Sequence, residues 1–157
     1  MTWPFGNLRP LSYGAIIAAL PVHQLAAKDC ALFMWATAPM LPDAIALMAA
    51  WGFTFKSAGA WAKQSSTGEK WAFGTGYCFR SAAEFYLLGT IGKPKVQCRG
   101  VRNLIVAPVR EHSRKPIDLH MHAECLFDGP YAELFARETR SDWECWGNQT
   151  DKFTEAA

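Results

Sequence analysis

Residues 30–37 read CALFMWAT, an eight-residue run without a charge, and the chain then changes period. From Met40 to Trp51 the apolar residues Leu41, Ala44, Ile45, Met48 and Trp51 recur at the spacing of one helix face, and Gly52 supplies a stop. A short, continuous apolar run is what a strand covered on both faces requires. A buried strand followed at once by an amphipathic helix commits the chain to layered α/β architecture.

The rest of the chain repeats the alternation. Tyr13 to Ala18 (YGAIIA) suits another buried parallel strand, and residues 21–27 suit a short helix with Pro21 at its first position. Phe53 to Lys63 alternates as a strand, and QSSTGEK is a polar turn. Glu84–Leu88, Asn103–Ala107, Ala132–Arg137 and the short Trp143–Trp146 are further predicted strands. Pro116 opens a helix that ends near Phe127, with Asp128-Gly129-Pro130 as its stop. The pattern predicts an open α/β sheet in a single domain over residues 1–157, a length that allows one sizeable core.

In such sheets ligands bind beyond the carboxyl ends of the strands. The positions to examine are therefore those just after Ala18, Thr37, Lys63, Gly89, Ala107 and Arg137. No glycine-rich dinucleotide fingerprint, phosphate loop or nucleophile elbow occurs, which removes the main support for dehydrogenase, nucleotide-triphosphatase and hydrolase readings.

Five cysteines, an odd and widely spaced set, predict reduced and mostly buried thiols rather than a zinc site or a stapled secreted fold. His120 and His122 are two apart on a predicted helix and point to different faces, so no metal is expected. The longest apolar stretches are broken well short of a membrane span, and no secretory signal is visible; the expected location is cytoplasmic. The net charge is only +2, yet Lys93, Lys95, Arg99, Arg102, Arg110, Arg114 and Lys115 face a single acid, Glu111, between residues 93 and 115. That cluster reads equally as a solvated loop or as a surface for nucleic-acid phosphates.

Several stretches carry a resemblance. CALFMWATAPMLPDAIALMAAWGFTF (30–55), AWAK (60–63), GTGYCFRSAAEFYLLG (74–89), NLIVAPVREHSRKP (103–116), AELFARETR (132–140) and WGNQ (146–149) stand in the order and spacing of MT-A-type (METTL-like) adenine methyltransferases. The chain resembles the small bacterial and phage members of that family. The resemblance implies a Rossmann-like, mostly parallel sheet of the S-adenosylmethionine-dependent methyltransferase type. It also implies methyl transfer to the N6 amine of adenine in nucleic acid, with DNA favoured over RNA. S-adenosylmethionine is the implied cofactor, and members that work in pairs make a homodimer or heterodimer an expectation.

Carried over by position, Lys115, Arg137, Asn148 and Gln149 are the implied cofactor-binding residues. Trp61, Tyr77, Arg80 and Glu84 are the implied substrate contacts. A surface lysine, a surface arginine, a plain turn at Gly147-Asn148 and core packing of Trp61 are the corresponding structural readings. Burying Glu84 would be costly without a partner, and Lys115 is the candidate. Thr139 and Arg140 stand where the family often has a histidine and an asparagine.

One element is missing. The family places Asp-Pro-Pro-Trp, or a close variant, directly after its first strand. Here Ala18 is followed by Ala19-Leu20-Pro21-Val22, and Trp3-Pro4-Phe5 precedes the strand and has no acid. The resemblance resumes at ALPVHQLAAKD, so the motif is absent between Ala18 and Ala19 and the catalytic residue is unassigned. Two accounts follow: a loop left out of an active enzyme's sequence, or a silent methyltransferase-like module that binds nucleic acid or a partner subunit.

Overall fold

The computed structural model describes residues 13–153. The elements run α1 (Tyr13–Ala18), α2 (Val22–Leu25), β1 (Cys30–Ala36), a 3-10 turn (Ala38–Met40), α3 (Leu41–Ala50), β2 (Thr54–Gln64), β3 (Ala83–Ile91), β4 (Leu104–Pro108), α4 (Asp118–Leu126), β5 (Tyr131–Leu134) and β6 (Trp143–Trp146). The predicted pattern from residue 21 to residue 146 is thus present, with small differences in bounds.

Two expectations are corrected. Tyr13–Ala18 forms a helix, and its hydrogen-bond pattern continues as Ala19 N–H donates to the Ala15 carbonyl at 3.1 Å. A short apolar run does not distinguish buried strand from buried helix, and Ala15, Ala18 and Ala19 favour the helix. The sheet is also mixed. One sheet has the order β1-β3-β2-β4, with β3 antiparallel to both β1 and β2 and only β2–β4 parallel. A second, two-stranded parallel sheet joins β5 to β6. Apolar patterning reports burial, not strand direction, so the polarity of β3 was not readable from it.

The alternation of side chains sends each strand's residues to two cores. On one face Ala36 and Leu87 pack with Val22, Ala44, Met48, Trp51 and Phe53, joined by Leu32 and Met34. On the other face Trp61, Tyr86, Ile105 and Leu119 form the cluster, joined by Phe33 and Trp35. Helix α3 covers the first face through Ala44 and Met48, and α4 contributes Leu119 to the second. Coverage of both faces is why β1 carries no polar alternation. Gly52, at φ +86°, ends the α3 segment as expected, because that backbone region is open to glycine without strain.

Helix α1 replaces the missing strand in a specific way. Ile17 packs against the first core, as does Leu134 of β5, and the Ile17 carbonyl accepts a 3.2 Å hydrogen bond from Trp51 Nε1.

The cysteine expectation is corrected as well. Cys98 and Cys125 form a disulfide, Cα–Cα 6.1 Å, while Cys30, Cys78 and Cys145 are free. The bridge ties the loop after β3 to the end of α4, where Gln97 N–H also donates to the Leu126 carbonyl at 2.8 Å.

Met48 is fully buried and lies against Gly89 of β3. Met48→Ala should cost about 2–5 kcal/mol from lost transfer energy and the cavity left behind. At about 2–4 °C per kcal/mol for a chain of this size, calorimetry should show a melting point at least about 4 °C lower. A smaller drop would mean that α3 is not packed on β3 as described.

Candidate functional site

The antiparallel course of β3 decides what the site contains. Because β3 runs opposite to β1, β2 and β4, its first residues lie beside their carboxyl ends: Ala36 pairs with Phe85 and Trp61 with Glu84, while β2 and β4 end side by side with Lys63 opposite Ala107. The expected binding edge is therefore formed by Thr37, Lys63 and the residues after β4, together with Glu84 from the start of β3. The position after Gly89 lies at the opposite edge and takes no part.

At this edge a pocket of about 360 Å³ is lined by Thr37, Trp61, Lys63, Glu84 and the loop from Val109 to Lys115. That volume falls within the range of small-molecule sites. Glu84 is buried and makes two ion pairs, one with Lys115 Nζ and one with Lys63 Nζ at 2.9 Å. The anticipated partner Lys115 is in place, three residues ahead of α4, and its charge is answered by Glu84. Burial by itself would raise the Glu84 carboxyl; the hydrogen bonds and charges of Lys115 and Lys63 outweigh it and hold the pKa below the ordinary carboxylate value.

Aromatic rings wall the pair. Trp61 donates from Nε1 to the Ala107 carbonyl at 2.9 Å, which fixes its ring against β4. Trp35 meets Trp61 edge to face at 6.2 Å and Tyr86 at 5.5 Å. Lys63 Nζ lies 4.9 Å from the Trp61 ring and Lys115 Nζ 5.6 Å from the Trp35 ring. Trp61 is thus both a core residue and part of the pocket lining.

A second pocket, about 190 Å³, brings together Arg137, Asn148 and Gln149 with Ile17, Phe135 and Ala136. Arg137 does not end a strand as expected. β5 stops at Leu134, and Phe135 turns the chain at φ 63°, a conformation that costs a non-glycine residue about 1–3 kcal/mol. The turn leaves the Phe135 ring half exposed at the pocket and carries Arg137 into its lining. Gly147 allows the opposite wall to come close, since a Cβ there would overlap the Ala136 carbonyl. A guanidinium, two side-chain amides and an exposed ring around a recess fit a ligand with an anionic end and hydroxyls.

The two pockets are neighbours through one ionic cluster. Arg114, from the first pocket's loop, bonds Glu138 at 2.7 Å and stacks 5.0 Å from the Phe153 ring, and Phe153 N–H donates to the Arg137 carbonyl at 3.2 Å. Arg140 Nη2 also approaches Glu138, at 4.0 Å. Lys115 therefore lines the pocket with Trp61 and Glu84, apart from Arg137, Asn148 and Gln149.

Tyr77 and Arg80 are on the loop between β2 and β3 and line neither pocket; Tyr77 is fully exposed, and Arg80 lies 5.1 Å from the Phe73 ring. The basic run is split by the sheet. Arg110, Arg114 and Lys115 line the first pocket, whereas Lys93 follows β3 and Arg102 precedes β4 at the opposite edge. His120 bonds Glu133 at 3.0 Å and meets Trp143 edge to face. No group of three or more possible metal ligands occurs among the described residues.

Between Ala18 and Ala19 the chain is continuous within one helical turn. Where a strand-end acid was to be expected, the second pocket is lined by Ile17. Trp3-Pro4-Phe5 lies outside the described residues. Lys63, Phe135 and Ile17 were missed as site residues. Only Lys63, as the last residue of a predicted strand, carried a signal.

Residues 12–149 match the MT-A70 family model. The chain belongs to the MT-A70 family. It is similar to the type II methyltransferase M.MunI of Mycoplasma sp, with 34% identity over 133 residues, 82% of this chain and 54% of that protein. It is 28% identical over 164 residues to the human N(6)-adenine-specific methyltransferase METTL4, covering 95% of this chain and 34% of the relative. A Medicago truncatula protein named as a putative N(6)-adenosine-methyltransferase MT-A70-like is 29% identical over 154 residues, 95% of this chain and 24% of its own length. The chain spans about half or less of the length of these curated relatives. Among its described residues, no helix is long and apolar enough to cross a membrane.

Glu84→Gln removes the charge that two lysines share, and should destabilise the chain by about 1–3 kcal/mol. Because the folded pKa is depressed, this contribution is present above the ordinary carboxylate value of 4.5 and is lost as pH falls through the lower native value. Melting curves of both proteins between pH 7 and pH 3 should therefore converge at the acid end. A gap independent of pH would contradict the ionised cluster.

Proposed function

We propose that this MT-A70 chain is an S-adenosylmethionine-dependent methyltransferase domain acting on the N6 amine of adenine in nucleic acid, with DNA favoured over RNA. The observation that carries this reading is the pair of pockets linked through Arg114, Glu138 and Phe153. A buried Glu84–Lys63–Lys115 cluster walled by Trp61 adjoins a recess holding Arg137, Asn148 and Gln149. The preference for DNA rests on the type II methyltransferase among the relatives.

In this reading Arg137 meets the cofactor's carboxylate, and Asn148 and Gln149 meet its hydroxyls or amine. S-adenosylmethionine supplies an electrophilic methyl group when bound. Trp61 walls the target base, while Lys115 and Lys63 hold Glu84 ionised and oriented as an acceptor for amine hydrogens. The exocyclic amine is a poor nucleophile, so alignment and hydrogen acceptors are what a protein must provide. The base must also leave its stack to reach such a pocket. Tyr77 and Arg80, outside the pocket, are assigned to the flanking strand.

A second reading is favoured by a particular observation. Ile17 lines the cofactor recess, and the chain has no Asp-Pro-Pro-Trp segment. In that reading the domain binds nucleic acid or a partner subunit without transferring methyl.

Equilibrium dialysis with labelled S-adenosylmethionine, followed by methyl transfer to adenine-containing oligonucleotides, separates the two. Arg137→Ala should weaken cofactor binding about 10- to 100-fold, as loss of a charge-assisted hydrogen bond does. Label appearing in adenine supports the enzyme. Binding without label supports the silent module, and absence of cofactor binding overturns both site assignments.

A further inference from the structure

The loop from Trp71 to Ala82 does something that neither pocket explains: it displays aromatic rings to water. Trp71 is 62% exposed, Phe73 79%, Phe79 86%, and Tyr77 is fully exposed. Scattered exposed aromatics need no account, but four within nine residues of one loop mark a contact surface. The backbone holds them there. Gly74 N–H donates to the Ser81 carbonyl at 3.0 Å, and a Cβ on Gly74 or Gly76 would run into the Ser81 or Phe79 carbonyl. The two strands of the loop thus close on each other at the glycines, and no interior remains into which Phe73, Tyr77 or Phe79 could fold.

The feet of the loop are fixed to the binding pocket. Ala72 N–H donates to the Lys63 carbonyl and Lys63 N–H to the Ala82 carbonyl, both at 2.8 Å. The loop therefore springs from the two sides of a pocket residue, and Glu84 follows two residues after Ala82. Arg80 lies over Phe73, adding a cation to the ring surface, and Arg110, Arg114 and Lys115 line the adjoining pocket.

We propose that this loop is a stacking platform for unpaired bases flanking the target adenine, so that the preferred ligand is a single strand rather than an intact duplex. The proposal rests on the nucleic-acid reading above and adds the form of the substrate. Exposed rings beside cations are what sequence-tolerant single-strand binding requires, because every base offers a π-face and every linkage a negative charge. A protein partner would find the same rings, but Arg80 on the loop and Arg110 at the adjoining pocket, neither held in one of the ion pairs described above, are complementary to phosphate.

The test is fluorescence anisotropy of a labelled adenine-containing 12-mer, single-stranded and as a duplex, with the full chain and with F73A/F79A. Cofactor binding by dialysis, on a pocket that neither Phe73 nor Phe79 lines, reports whether the variant is folded. The wild type should bind the single strand at least about ten-fold more tightly than the duplex, and F73A/F79A should weaken single-strand binding by about ten-fold or more with cofactor binding intact. Equal single-strand affinity in the variant, or a duplex bound as well as the single strand, overturns the platform while the nucleic-acid reading stands. Failure of the wild type to bind either form overturns both. A concentration-dependent dimer that F73A/F79A abolishes, without change in oligonucleotide affinity, assigns the loop to a second copy instead.

Discussion

A carboxylate buried among aromatic rings can remain charged only if the protein surrounds it with compensating groups, and the binding edge of this molecule is arranged around that requirement at Glu84. Its two oxygens take Lys63 from the end of β2 and Lys115 from the loop leading into α4. One buried charge thereby ties together a central strand, its neighbour and the segment entering the second face's helix. The antiparallel course of β3 makes this possible, since it delivers the start of a strand to an edge otherwise built from strand ends. Reversal of β3 would put Glu84 at the far side of the sheet and leave both lysines facing aromatic walls without a counter-charge.

Much of this arrangement was legible because it follows from patterning and pair logic. The step from CALFMWAT to a 3.6-residue period located β1 and α3, and Gly52 closed the helix as its lack of a Cβ permits. Glu84 ahead of an apolar strand demanded a cation, and the basic Arg114-Lys115 pair before a helix offered one. Strand polarity was not legible, because burial patterns are the same whichever way a strand runs. The disulfide was hidden for a related reason: Cys98 and Cys125 are brought together by the packing of a loop on α4, and their separation of 27 residues says nothing of it. Arg137 was expected at a strand end and lies beyond one, since the turn at Phe135 depends on a positive φ that aromatic residues seldom adopt.

The helical state of Tyr13–Ala18 has the widest consequence. A helix of six residues closes few of its own hydrogen bonds and depends on an apolar surface to pack against. The first core provides that surface, and Trp51 secures the helix through the Ile17 carbonyl. The four-stranded and two-stranded sheets consequently remain separate, joined by side-chain packing through Ile17 and Leu134 rather than by a backbone ladder.

Packing on both sides of this division also shapes the two pockets. Trp61 and Glu84 line a pocket and also hold the structure: the first closes a core and the second neutralises two lysines. Arg114, Glu138 and Phe153 likewise fasten the two pockets to each other while shaping both. Residues with such double duty cannot be lost without cost to folding. The shape of both pockets is therefore fixed by the packing of the fold around them.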